Sequence, residues 1–235
     1  MDTTDTTDIR QQGDTAALFV AGCPFCERRD VEFILTQTAH FYVLADHAPL
    51  VAGHTLIIPR AHYACYGAVP AALEAEFLAL KRRMRRFLTA AYGVPSFFEH
   101  GVFRQTVFHA HLHALPFGPV GAFDVEALAA DQGGAPVHSL ADVRAWYAER
   151  GHYTYLETPL PAQAPDGATG EHQDFGVAAL FPPVMRSYRS ALGMLQAQTA
   201  TIGQWRPPAA RYAERAPLLA ELAAKWQAFA ASENG

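Results

Sequence analysis

Apolar residues at Leu73, Phe77, Leu80, Met84, Phe87 and Ala91 recur at intervals of four, three, four, three and four. That spacing lines one face of an α-helix, with Pro70 suited to its first turn, a run to Tyr92 and Gly93 as its stop. On either side the period shortens. HFYVLAD (40–46) and HTLIIP (54–59) are β-rich runs separated by HAPLVAG, which predicts an antiparallel pair. SFFEHGV (96–102) and TVFHAHLHALPF (106–117) predict two further strands. Strands, one long helix and strands again predict an α+β domain built on an antiparallel sheet.

Beyond Gly118 the pattern loosens. Ser139 followed by Asp142 forms a capping box, predicting a helix through Arg150 that stops at Gly151. Strands are expected at 153–158 and 174–181 around a loop rich in Pro, Gly and Ala at 159–170. Helices follow at 183–199 and 209–230, parted by the GQWRPP turn, with Pro217 breaking or restarting the second. No internal repeat is evident.

Composition adds bounds rather than elements. Half of the 235 residues are apolar and 17% are charged, ample for a globular core. A net charge of −5 argues against a dedicated nucleic-acid binder. The one dense basic run, Lys81 to Arg86, is expected to be the solvated face of the long helix. Three cysteines do not make a disulfide framework, which favours a reducing compartment. The acidic N-terminus lacks a signal-peptide pattern and AALFVAG is too short to span a membrane. A cytoplasmic protein with no membrane partner and residues 1–15 disordered is the expectation.

The chemistry concentrates at His109, His111 and His113. In a strand, alternate residues share a face, so three imidazoles would project together while Phe108, Ala110, Leu112 and Ala114 line the core side. Packing does not explain three polar rings in register. Two chemistries do: a transition-metal centre, or attack by a neutral histidine on a phosphorus or carbonyl centre. The pair Cys23 and Cys26 is likewise open between half of a zinc site and a turn with free thiols.

These residues resemble the histidine triad (HIT) family of nucleotide hydrolases and transferases. The His-x-His-x-His signature is met by His109 through Leu115, after the lead-in Gln105-Thr106-Val107-Phe108. Asp46-x-x-Pro49, Gly53-His54-Thr55-Leu56-Ile57-Ile58-Pro59 and Arg60-Ala61-His62 match the upstream blocks, and Cys23-x-x-Cys26 recurs in many members. The resemblance implies an HIT-like catalytic domain at 16–118, with 119–235 a C-terminal α/β extension packing on it or extending its sheet. It implies that His111 attacks a nucleotide α-phosphate, forming a nucleotidyl-histidine that water or another acceptor resolves. His113 would hold the phosphate and orient the nucleophile, Gln105 and Thr106 would bond the phosphate or leaving group, and Asp46 would accept ribose hydroxyls. A structural zinc would be held by Cys23, Cys26, His62 and His109, and a homodimer is reasonable. The partner would be a nucleotide or another phosphorylated small molecule.

The chain departs from that pattern just before Gln105. Glu99 stands where an asparagine often meets phosphate, and would repel it unless protonated, paired with Arg104 or turned away. Arg104 stands where glycine is usual and offers a phosphate clamp. His47, after the aspartate, also replaces an apolar residue at the substrate end, and its role is open. His54 is expected to be structural, bonding backbone near the strand entry, and Cys65 a small apolar filler. A scaffold repurposed for a biosynthetic reaction on a phosphorylated or nucleoside-derived metabolite, and a non-catalytic nucleotide-binding adaptor, are the alternatives. Arg186, Arg189 and Trp205-Arg206 offer either cations that close over an anionic substrate or, the preferred reading, surface residues of a two-helix cover.

Overall fold

Five-residue runs with no charged side chain, Phe41–Ala45 (β2) and Thr55–Pro59 (β3), pair antiparallel with Tyr42 opposite Ile58 and Leu44 opposite Leu56. In the computed structural model, which describes residues 19–28, 34–118, 124–159, 174–201 and 208–233, this pair sits within an eight-stranded sheet. The other strands are β1 (Ile34–Gln37), β4 (Ser96–Glu99), β5 (Leu112–Leu115), β6 (Ala135–Pro136), β7 (Thr154–Thr158) and β8 (Val177–Phe181). Their order is β1-β2-β3-β5-β4-β7-β8-β6 and every pairing is antiparallel. The sheet therefore runs without a break from the N-terminal half into the C-terminal half, across the β4–β7 junction. With its helices this is an α+β fold.

Strand alternation divides the side chains between two faces. Phe41, Val43, Ile57, Phe97, Leu112, Ala114 and Tyr155 face the long helix α2 (Glu74–Ala91), which contributes Phe77, Leu80, Met84 and Phe87 as its spacing predicts. The capping box at Ser139 and the left-handed stop at Gly151 bound α4 (Leu140–Arg150) on the same face. Helix α7 (Arg215–Ser232) closes that side, with Trp226 edge-on to Phe87 at 5.0 Å. The opposite face carries Leu44, Leu56 and Ile58 and, further along, Phe98, Leu115, Leu156 and Phe181. Its far end is covered by α3 (Val125–Asp131) and α5 (Met185–Thr201). A one-turn helix α1 (Pro24–Glu27) and a short α6 (Pro208–Ala213) complete the described α-helices, with two 3-10 turns at Tyr66–Ala68 and Ala71–Leu73.

Three expectations are corrected. The basic run on α2 is not a solvated face. Lys81 and Arg85 are buried and grip Glu157 of β7 at 2.5 Å each, with Tyr155 Oη donating to the same carboxylate at 2.5 Å. Arg82 pairs with Asp174, while Arg83 and Arg86 share Glu233. The run is basic because β7 and the chain end bring acidic partners across it, which no local pattern reveals. Secondly, the strand expected at 106–117 begins only at Leu112. A turn closed by the His109 N–H to the Val107 carbonyl (2.8 Å) throws Phe108 out to 63% exposure, while Ala110, Leu112 and Ala114 do reach the core. Thirdly, the strand expected at 96–102 ends at Glu99. The second C-terminal helix restarts after Glu214, in keeping with the break expected at Pro217, which lies in the first turn of α7. Strands β1 and β6 and helices α1 and α3 were not expected. Residues 1–15, the loop at 160–170 and Trp205-Arg206 lie outside the described residues.

Burial would raise the Glu157 carboxyl, yet Lys81 and Arg85 together hold it below the usual range, and burial pushes Lys81 down to about 8. Removing the carboxylate strands two cations in the core. Glu157→Ala is expected to cost about 3–5 kcal/mol in urea-unfolding measurements.

Candidate functional site

The Cys23-Pro24-Phe25-Cys26 segment forms the single turn of α1, with Pro24 at its first position, where its missing N–H is no loss. The turn points both thiols at two histidines from distant segments. His109 Nδ1 lies 3.5 Å from each Sγ, and His62 Nδ1 lies 3.4 Å from the Cys26 Sγ. A tetrahedral zinc bound to sulfur at ~2.3 Å and nitrogen at ~2.05 Å separates such donors by roughly 3.5 Å, so the four residues fit that ion. The other nitrogen of His109 faces the Pro59 carbonyl at 2.8 Å, which draws the proton to Nε2 and leaves the Nδ1 lone pair toward the cluster. Burial pushes His109 down to about 4, keeping it in the neutral, ligating form.

The backbone of His109 controls the next histidine. Its carbonyl oxygen accepts from Gln105 Nε2 at 2.7 Å and from His111 Nδ1 at 2.7 Å. His111 Nδ1 must therefore carry the proton, which leaves Nε2 with a free lone pair. Phe25 packs edge-on against both rings, at 5.7 Å from His109 and 5.4 Å from His111. Burial lowers the pKa of His111, favouring the neutral imidazole.

His113, on β5, is set by a residue that sequence reasoning left as structural. The Leu50 N–H donates to His54 Nδ1 at 3.2 Å, so the His54 proton is on Nε2. That nitrogen lies 3.0 Å from His113 Nδ1 and donates to it, so the His113 proton is on Nε2. His113 Nε2 is buried and has no hydrogen-bond partner. Backbone amide, His54 and His113 thus form a relay that ends in an unused N–H donor beside the unused lone pair of His111, their rings 5.0 Å apart. Burial lowers the pKa of both His54 and His113, consistent with neutral rings. The signal for His54 was available: Leu56 pairs with His113 across β3 and β5, and residue 54 shares the face of residue 56.

Asp46 lies at the same end, with Oδ1 accepting the Ala48 N–H at 2.7 Å and Oδ2 3.8 Å from His54 Nε2. Its neighbour His47 is exposed and its ring stands 6.2 Å from Tyr212 of α6. The adjacent Arg211 donates to the Ala48 carbonyl at 2.5 Å, so the C-terminal half reaches this loop. Thr106 and Arg104 are exposed, and the Arg104 guanidinium lies 5.8 Å from the centre of the Tyr188 ring. Glu99 is not brought to the histidines. It faces the α2 side of the sheet, buried, accepting the Tyr66 N–H at 2.8 Å and the Tyr153 hydroxyl at 2.6 Å. Among the described residues Glu99 makes no ion pair with Arg104. Arg186 pairs with exposed Asp131, and Arg189 is exposed. No described helix is long and apolar enough to cross a membrane.

Comparison with known proteins agrees with the N-terminal half. Residues 28–118 match the family profile of the HIT domain. An uncharacterized HIT-like protein of Saccharolobus solfataricus is 29% identical over 106 residues, spanning 40% of this chain and 73% of its own. Among solved structures, a hypothetical histidine triad nucleotide-binding protein from Sulfolobus tokodaii is 25% identical, covering 43% of this chain and 71% of that one with a TM-score of 0.37. A zinc-bound histidine triad family protein from Mycobacterium smegmatis is 24% identical, covering 55% and 94% with a TM-score of 0.36.

Two outcomes are expected from this geometry. Elemental analysis should find one zinc per chain, absent after Cys23→Ser. Burial raises the Glu99 carboxyl to about 7 from 4.5, against the bonds from Tyr153 and Tyr66. An acid whose pKa is raised by folding adds stability below its unfolded value and loses it as pH rises through the folded one. The stability of the wild type relative to Glu99→Gln should therefore fall, by on the order of 2 kcal/mol, between about pH 4.5 and 7, as read by denaturant titrations of both proteins.

Proposed function

Residues 28–118 match the HIT domain, and from that likeness we propose that the protein hydrolyses or transfers at the α-phosphate of a nucleotide through a covalent intermediate on His111. The observation that carries this reading is the pair of opposed tautomers. His111 presents a lone pair at Nε2 and His113 presents a proton at Nε2, each set by hydrogen bonds the protein makes to the other ring nitrogen. A nucleophile beside a donor is what phosphoryl chemistry needs: attack at phosphorus builds negative charge on the phosphate oxygens, and an oriented N–H stabilises it.

His111 Nε2 forms a bond to the α-phosphorus as the bond from phosphorus to the leaving group breaks. The leaving atom departs with the electron pair and takes up a proton. Water or another acceptor then attacks phosphorus and gives up a proton, the N–P bond breaks, and the neutral imidazole returns with release of the nucleotidyl product. Gln105 acts through the His109 carbonyl that orients His111. In this reading Asp46, beside His54 and accepting the Ala48 N–H, accepts ribose hydroxyls. Cys23, Cys26, His62 and His109 would hold a zinc ion, which supplies a structural clamp on the segment leading to His111.

The test is incubation with nucleoside phosphoramidates and polyphosphates labelled in the α-phosphate. An acid-labile protein-bound nucleotide is expected in the wild type and absent in His111→Ala, with turnover lowered by at least about 10³-fold. His54→Phe removes the donor that sets His113 and is expected to lower kcat by about 10²-fold. His54→Gln, whose amide can donate in its place, should recover part of that loss. An adduct that persists in His111→Ala would falsify the assignment.

A further inference from the structure

Where β4 ends, the chain takes a conformation that L-residues avoid. Gly101, Val102 and Arg104 all have positive φ, at 55°, 79° and 61°. For a β-branched valine this is a strained state costing on the order of 1–3 kcal/mol, kept only where surrounding contacts enforce it. Those contacts come from the C-terminal half. Tyr153 donates its N–H to the Gly101 carbonyl at 2.9 Å and forms a bridge with Val102. The Tyr153 ring lies so close over Gly101 that an added Cβ would stand 2.3 Å from it.

Two side chains flank this strained loop. His100 shares the face of Phe98 and its ring lies 6.1 Å from His113, and the Arg104 guanidinium lies over Tyr188 of α5. Tyr188 in turn lies 5.7 Å from His100 and 5.8 Å from Phe103. Across strands β3, β5 and β4, His113 thus has His54 on one side, toward Asp46, and His100 on the other. Two groups on the His100 side keep hydrogen-bonding capacity, although Arg104 already bonds the Tyr188 side chain. His100 Nδ1 is buried with no hydrogen-bond partner. Arg104 is exposed and, among the described residues, pairs with no carboxylate. A buried ring nitrogen is ordinarily satisfied within the fold, and an arginine spread on an aromatic face is pre-ordered for an oxyanion. Burial, reinforced by His111, pushes His100 down to about 4, so the ring is neutral and adds no second charge.

We infer that His100, Arg104 and Tyr188 form a subsite for a phosphate-bearing leaving group, on the opposite side of His113 from Asp46. The inference rests on the proposed reaction at His111 and deepens it. The nucleoside lies toward Asp46, the scissile bond sits over His111 and His113, and the departing group extends over His100 to Arg104. The extension acts on specificity twice, through the Tyr153 contact that enforces the strained loop and the Tyr188 ring on which Arg104 rests.

Two phosphoramidates of the same nucleoside 5′-phosphate test it, one of propylamine and one of 2-aminoethyl phosphate, made in adenosine and guanosine forms. Both break the same P–N bond and differ in the distal phosphate. The wild type should prefer the phosphate-bearing compound in kcat/KM by at least tenfold. Arg104→Ala should lower kcat/KM for that compound about tenfold more than for the propylamine one, Arg104→Lys should restore part of the preference, and Tyr188→Ala should weaken it. Equal use of both compounds by the wild type, or equal losses on both in Arg104→Ala, overturns the subsite. Binding of the same pair to His111→Ala separates the two readings. If nothing is cleaved yet binding still favours the phosphate-bearing compound in an Arg104-dependent way, the subsite stands and the reaction is wrong. If neither compound is cleaved and binding shows no such preference, both are overturned.

Discussion

The backbone carbonyl of His109 is the point on which the site depends. It accepts hydrogen bonds from Gln105 and from His111, and the second of these decides which nitrogen of His111 is free. The His109 side chain is meanwhile held by the Pro59 carbonyl and faces the Cys23, Cys26 and His62 cluster. One residue therefore ties together α1, the end of β3 and His111. A rotation of the His109 peptide would release the His111 ring and allow the other tautomer, with no change in any side chain. The three histidines of the motif are alike in sequence and unlike in task because each finds a different partner for the nitrogen it does not use: a proline carbonyl, a histidine carbonyl and a histidine ring.

A second constraint is that both halves of the chain share one sheet. Strand β7 lies beside β4, so the histidine strand is bounded by N-terminal β3 on one side and supported, one strand away, by the C-terminal half on the other. The union is reinforced from the α2 face, where Glu157 of β7 satisfies Lys81 and Arg85. An ion cluster of this kind adds little net stability over apolar packing, because dehydrating the charges offsets their attraction. What it does is couple α2 to β7. The same strand segment brings Tyr153 to Glu99 and to the loop at Gly101, so the fold of the extension and the shape of the site are linked through a few residues.

Much of this was legible in the residues alone. The 3–4 spacing on α2, the Ser139–Asp142 capping box, the pairing of the runs at 40–46 and 54–59, and the Cys and His groups of the candidate metal site all follow from local geometry or from motif identity. The failures share a cause. Glu99 was weighed as a phosphate neighbour, yet its side of the sheet depends on strand parity and on a tyrosine 54 residues later. Lys81 and Arg85 looked solvated because Glu157 is more than 70 residues away. His54 bonds backbone as expected, but its second partner, His113, is 59 residues distant.

By itself, then, the sequence determined which chemical groups are present, their periodicity along each element, and the α+β class, since those depend on bonds and contacts within a few residues. Tertiary structure alone decided which nitrogen of each histidine is free, which face Glu99 takes, and that the C-terminal half reaches both ends of the triad. A proton on an imidazole goes where its acceptor is, and here the acceptors and donors come from segments that meet only when the sheet is assembled.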